Sequence, residues 1–124
     1  MSSKFKHCIC TLSYCNIEKT PARKKIVEKA VSSHSGFKRD DSYIFLWDNG
    51  SSDDMKEFLS SCDFYDDIHF SSRNLFDNGA FAALRKKAHD LGCEYITFIE
   101  DDCQLFDPDS IVPAIEFLDN NRDC

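Results

Sequence analysis

Three carboxylates stand side by side at Glu100-Asp101-Asp102, directly after the apolar stretch Tyr95 to Ile99. Adjacent carboxylates at the end of a buried strand repel one another and resist full ionisation. A divalent cation removes that penalty, and hard ions such as Mn²⁺ or Mg²⁺ favour carboxylate and phosphate oxygens. Alternation along a strand would turn Glu100 and Asp102 to one ion while Asp101 faces elsewhere. A helix cap or a solvated turn would use the same residue types, so the triplet alone leaves both readings open.

A second polar cluster, Asp48-Asn49-Gly50-Ser51-Ser52-Asp53-Asp54, follows the apolar run Tyr43 to Trp47. Asp-Asn-Gly is a common turn in which glycine supplies positive φ. No bidentate acid follows at calcium-loop spacing, so an EF-hand is excluded. Such a turn opening a helix would also set Asp48 against a ligand hydroxyl or a base edge. The seven cysteines form no CxxC pair and no zinc-spaced Cys/His cluster. Cys8 and Cys10 would share one face of a strand as small buried hydrophobes. Free thiols in a reducing cytoplasm account for them, and none is marked as a nucleophile.

These clusters need elements to position them, and the hydrophobic pattern supplies an alternation. His7 to Leu12 reads as a first strand. Thr20-Pro21 opens a helix with a hydroxyl cap and proline in the first turn, and Ala22, Ile26, Val27, Ala30 and Val31 form its inner face. Tyr43 to Trp47 looks like a strand buried on both faces. Ser51 and Asp54 suggest a capping box for a short helix carrying Met55, Phe58 and Leu59 inward. Ile68 to Phe70 is a short third strand, Gly79 to Leu91 a helix ended by Gly92, and Glu94 to Ile99 a fourth strand. A last helix, Ser110 to Asn120, turns Ile111, Ile115 and Leu118 inward, with Ala114 beside them. Such βα alternation with short connections predicts an α/β fold: a mostly parallel sheet of about four strands flanked by helices. Ligands of these sheets sit at the carboxyl ends of the strands. Those ends carry Thr11, Ser13, Tyr14 and Asn16, then the Asp48 cluster, then Arg73-Asn74 and Asp77-Asn78-Gly79, then the acidic triplet.

The chain has 124 residues, enough for one domain. Its net charge is −7, with 15 Lys plus Arg against 22 Asp plus Glu, which argues against nucleic acid as a partner. From Asp40 to Asp67 nine of ten charges are acidic, and from Glu100 onward Arg122 alone opposes eight acids. The bland account is solvated faces; the sharper one is carboxylates holding a cation for an anionic ligand. No apolar run is long enough for a transmembrane segment, and none opens the chain as a secretory signal.

Taken together, the four strand ends resemble the nucleotide-binding half of a family 2 glycosyltransferase, whose fold is called GT-A. The matching residues are Thr11 with Tyr14-Cys15-Asn16, Asp48-Asn49-Gly50-Ser51-Ser52-Asp53, Asn74 with Asn78-Gly79-Ala80, and Glu100-Asp101-Asp102 in the place of the family's DxD motif. They agree in order and spacing over nearly the whole chain. The resemblance implies a nucleotide site made of Thr11, Tyr14, Asp48, Asn49, Asn74, Gly79 and Asp101. Thr11 and Tyr14 would line the base pocket, and Asp48 would hydrogen-bond the base. Asp102, helped by Glu100 or Asp101, would hold Mn²⁺ or Mg²⁺ against the diphosphate of a nucleotide-sugar donor. The implied reaction is sugar transfer to an acceptor hydroxyl with inversion.

This sequence departs from the family pattern at several points. Cys15 parts the usual Tyr-Asn pair, and Glu100 stands where Asp is commoner. Ala83-Leu84-Arg85-Lys86 replaces an Arg-Asn pair, which leaves Arg73 or Arg85 as substitutes for its phosphate contact. Family domains are longer and carry an acceptor half with the general base, so the resemblance implies a donor half only, with no assignable catalytic base. The competing expectation is a non-catalytic nucleotide-binding or interaction module that pairs, for instance as a homo-oligomer, through an exposed sheet edge. A haloacid-dehalogenase-like phosphatase or a response-regulator receiver would need acids after the first strand, where Leu12-Ser13-Tyr14 stands.

Overall fold

The structure, a computed structural model, describes residues 5–123. The elements alternate as β1 (His7–Ser13), α1 (Arg23–Ser33), β2 (Ser42–Asp48), α2 (Asp53–Ser60), β3 (Asp67–Phe70), α3 (Phe76–Asp90), β4 (Tyr95–Glu100) and α4 (Ile111–Asn120), with a 3₁₀ turn at His34–Phe37. The four strands form one all-parallel sheet in the order β3-β2-β1-β4. The chain thus moves outward from β1 through β2 to β3, then crosses back to lay β4 on the other side of β1.

Alternation along β1 divides the core. Ile9 faces α1 and α2, where Val27, Val31, Ile44, Leu46, Met55 and Leu59 close a cluster without solvent contact. Cys8, Cys10 and Leu12 face α3 and meet Phe45, Ala80, Leu84 and Ala88. Every residue of β1 is buried, as the central strand of a parallel sheet requires.

Several expected details are corrected. Tyr43 and Trp47 are only half-buried, packed against the cluster that Ala80, Leu84 and Ala88 of α3 form with β1. Helix α1 begins at Arg23, and the Thr20 hydroxyl donates to the Asn16 carbonyl at 3.0 Å instead of capping the helix. Ile26 is 53% exposed and Ala22 lies before the helix, so its inner face is Val27, Ala30 and Val31. Ser51 and Asp54 form no capping box: Ser52 precedes α2 and neither serine caps it. Helix α3 starts at Phe76, three residues ahead of Gly79. Helix α4 buries none of its residues. Polar contacts at its last turn hold it instead: Asp119 accepts from Lys6 at 2.5 Å and from the Tyr95 hydroxyl at 2.6 Å. Ile111, Ile115 and Leu118 are half-buried and Ala114 is exposed.

Candidate functional site

The reversal of strand order between β1 and β4 leaves a crevice at their carboxyl ends. A cleft of about 180 Å³ opens there, lined by Leu12, Tyr14, Arg23, Glu100 and Asp101. Asp101, the first residue after β4, is 3% exposed and faces the end of β1. Its carboxylate accepts from the Tyr14 amide at 2.9 Å and from the Ser13 hydroxyl at 3.2 Å. Arg23, at the start of α1, pairs with the other Asp101 oxygen, sits 3.5 Å from Asp102, and donates to the Tyr14 carbonyl at 3.2 Å. One guanidinium therefore ties the acidic turn to the loop after β1.

Burial pushes the Asp101 carboxyl above its ordinary range, while the Tyr14 amide, Arg23 and Ser13 pull it back toward ionisation and Asp102 opposes them. For Arg23 burial is the largest influence and lowers its pKa, but the pull of Asp101 and then Asp102 outweighs it. The side chain of Asp102 is 41% exposed and Glu100 is exposed as well, so both carboxylates stand at the mouth of the cleft. Three carboxylates against one guanidinium leave this mouth anionic.

A second knot lies behind the cleft. Asp48 is fully buried at the end of β2 and accepts from the Gly50 amide at 3.2 Å, the Ser51 amide at 2.9 Å and the Ser51 hydroxyl at 2.5 Å. Desolvation still raises its pKa, against those three bonds. Ser51 also accepts from the Cys15 amide at 2.9 Å, and Ser52 accepts from the Ile17 amide at 3.2 Å. Both hydroxyls therefore stitch the loop after β2 to the loop after β1, which is why neither caps α2. Gly50, at φ +92°, lies against the Arg73 and Asn74 backbone, where a Cβ would come within 3.3 Å of the Arg73 carbonyl carbon.

Of the residues expected from the sequence, Tyr14, Glu100 and Asp101 line the cleft and Asp102 joins it through Arg23. Thr11 is buried beneath, accepting from the Tyr65 hydroxyl at 3.5 Å. Asn49 is buried and binds the approach to α3, accepting from the Leu75 amide at 3.2 Å and from the Trp47 indole at 3.0 Å. Asn74 accepts from the Phe76 amide at 2.7 Å. Gly79 lies in the first turn of α3, where a Cβ would come within 2.8 Å of the Leu75 side chain. Thr11, Asp48, Asn49, Asn74 and Gly79 thus shape the loops around the cleft without lining it. Arg85 lines a different cleft, beside Cys93. Arg23 was not among the expected residues. It is the one arginine among the seven cations between Lys4 and Lys29, and an arginine fork suits carboxylates; that type, with the acidic triplet's need for a counter-charge, was the available signal.

The parallel sheet with helices around it and a cleft at the switch point define an α/β, Rossmann-like fold. The structural similarity is to crystal structures of S. aureus TarS. One superposes with a TM-score of 0.71 at 16% identity, covering 95% of this chain and 20% of that one. A second, TarS 1–349 in complex with UDP-GlcNAc, gives 0.72 at 13% identity and covers 95% of this chain and 32% of that one. A third, of the same TarS segment, gives 0.64 at 15% identity, with 95% and 33% covered. The chain thus spans between a fifth and a third of the length of these structures. No family model and no curated protein matches the sequence.

Proposed function

We propose that this chain is the donor-binding part of a metal-dependent, inverting glycosyltransferase of the family 2 type, taking a nucleoside-diphosphate sugar. The observation that carries this reading is the switch-point cleft between Tyr14 and Glu100-Asp101, on a fold shared with a protein crystallised with UDP-GlcNAc. Its volume lies below the roughly 300–1,000 Å³ of whole-ligand sites. It therefore suits one part of a nucleotide, with the remainder against the neighbouring surface. Tyr14 at the cleft wall would take the base or ribose, and Asp101 would act through the loop it braces.

Charge decides the metal question within this reading. A diphosphate approaching Glu100, Asp101 and Asp102 meets a net repulsion that Arg23 only partly offsets. Among the described residues no three His, Cys, Asp or Glu side chains are grouped so as to hold a metal ion. Two exposed carboxylates suit an ion that keeps several sites for substrate phosphate and water, the usual habit of Mg²⁺. Glu100 and Asp102 would hold it, and it would supply positive charge against the diphosphate and the departing nucleotide. Arg23 then holds Asp101 and the Tyr14 loop in place.

Isothermal titration of the chain with UDP and with UDP-GlcNAc, each with and without Mn²⁺, tests the proposal. Binding that requires the ion supports it. Metal-independent binding removes the metal assignment, and no binding under any condition removes the donor site. The competing reading, a non-catalytic nucleotide-binding or interaction module, draws on β4, which lies at the sheet edge with β1 as its one partner strand among the described residues. Binding together with self-association and no sugar transfer would favour it.

A further inference from the structure

Toward the other edge of the sheet, a groove of about 280 Å³ runs between α3 and the strands β2 and β3. It shares no lining residue with the switch-point cleft. Trp47 of β2 and His69 of β3, opposed in the strand register, stack their rings 4.2 Å apart at 28° and form one aromatic wall. Trp47 is half-buried and His69 exposed, so the wall is open to solvent. The Trp47 indole N–H donates to buried Asn49 at 3.0 Å, which fixes the ring before any ligand arrives.

Charged side chains rim the groove. Lys87 lies 3.4 Å from Asp67, and Lys86 pairs with Asp90 at 2.8 Å. Two cations and two carboxylates cancel, so the rim favours neither an anion nor a cation. All four side chains keep at least a third of their surface in water. Exposed ion pairs of this kind are worth little, so the rim turns to a ligand at small cost. It sets ammonium donors beside carboxylate acceptors, and a hydroxyl, which both donates and accepts, can bridge such a pair without breaking it.

We propose that this groove is a binding site for a neutral carbohydrate of one or two pyranose rings. A pyranose carries C–H groups on its ring faces and hydroxyls around its rim, which matches an aromatic wall beside paired donors and acceptors. The volume lies just under the roughly 300–1,000 Å³ of drug-sized ligand sites, in keeping with a ligand of that extent. An apolar peptide segment would match the wall but strip water from the four charged groups without replacing its hydrogen bonds. The site neither uses nor needs the donor cleft, so it stands whether or not that cleft takes a nucleotide.

Trp47 is the one tryptophan in the sequence, so its fluorescence reads the groove directly. The whole chain is titrated with cellobiose and with maltose in EDTA, without nucleotide. A saturable change with a midpoint on the order of 1 mM is expected, unaltered by salt because the ligand is neutral. His69→Ala changes an exposed side chain and leaves the core intact. It is expected to bind about tenfold more weakly, the loss of one aromatic contact. No response to either sugar overturns the proposal, as does undiminished binding by His69→Ala. So does a response displaced by UDP with Mn²⁺, which puts the sugar in the donor cleft. A response to N-acetyl-leucinamide alone makes the groove a peptide site and overturns it too.

Discussion

Arg23, at the first position of α1, and Asp101, at the first position after β4, pair across the carboxyl ends of the two strands that flank the cleft. Asp101 is nearly without solvent contact whereas the Arg23 side chain is one-third exposed. The pair is therefore asymmetric: removing the guanidinium leaves a buried carboxylate to be neutralised or hydrated.

Arg23→Gln is accordingly expected to destabilise the fold by about 1–3 kcal/mol, the cost of losing hydrogen bonds to a charged, poorly hydrated group. Asp101→Asn keeps a carbonyl oxygen for the Tyr14 amide and should cost less. Urea titration of both variants at neutral pH checks the order; equal effects would show that the ion pair adds nothing beyond the backbone bond.

Asp102→Asn separates stability from binding. Its side chain is exposed, so its unfolding free energy should stay within about 0.5 kcal/mol of the parent. Under the proposed function the same change removes the Mn²⁺ dependence of UDP binding. Calorimetry showing undiminished metal-dependent binding by Asp102→Asn would place the ion elsewhere.

Two buried histidines predict acid sensitivity. His7 is 1% exposed and shares a 2.6 Å hydrogen bond with Thr97, while His34 is fully buried and donates to the Cys103 carbonyl at 2.6 Å. The Nδ1 atom of each ring is buried without a partner, so protonation would bury a second N–H with no acceptor. Desolvation accordingly lowers both pKa values from the ordinary 6.5, against Asp41 for His7 and the Cys103 carbonyl for His34. A depressed histidine favours the neutral folded state. The stabilisation is present above pH 6.5 and is lost as pH falls below it, by up to about 1.4 kcal/mol per pH unit for each ring. Denaturation midpoints at pH 7 and pH 5.5 should differ in that sense, and His34→Gln should show a shallower fall.

Gly50→Ala places a side chain at φ +92° and within 3.3 Å of the Arg73 backbone. A loss of roughly 1–3 kcal/mol is expected from the conformational strain, read as a lower thermal midpoint. A neutral outcome would mean that the loops after β2 and β3 separate easily.

The elements with strong local patterns were legible in the sequence: β1, β2 and β4 fall within one residue of their expected bounds, and β3 was found although it is only four residues long. The starts of α1 and α3 were not, whereas α4 begins one residue after the expected Ser110. Thr20, Ser51 and Ser52 carry capping side chains, yet Thr20 turns back onto the Asn16 carbonyl in its own loop, and Ser51 and Ser52 bond Cys15 and Ile17 in the loop after β1, a choice set by tertiary neighbours. The all-parallel sheet followed from alternation, whereas the placing of β4 beside β1 required the structure.

Within the site the clustering of carboxylates at the end of β4 was readable, but one Arg23 guanidinium reaches both Asp101 and Asp102, so Asp101 does not simply face away from its neighbour. The pairing of Arg23 with Asp101 was not readable, because it joins residues 78 positions apart. Asp48 was expected to face a ligand base; in the structure its carboxylate is turned onto Gly50 and Ser51. A buried acid surrounded by small polar residues organises its own loop first, and the sequence does not distinguish that role from ligand contact.

The position of β1 between β2 and β4 bears on how the molecule assembles. Its register with β2 joins His7 to Ser42, but its register with β4 joins His7 to Tyr95. Contacts so distant along the chain close late and slow the search. During synthesis, β1, β2 and β3 can associate while the acidic turn is still unmade, and the cleft comes into existence only when β4 docks against the waiting flank of β1. Binding competence is therefore a property of the finished sheet, acquired in one late event and lost first if β4 detaches.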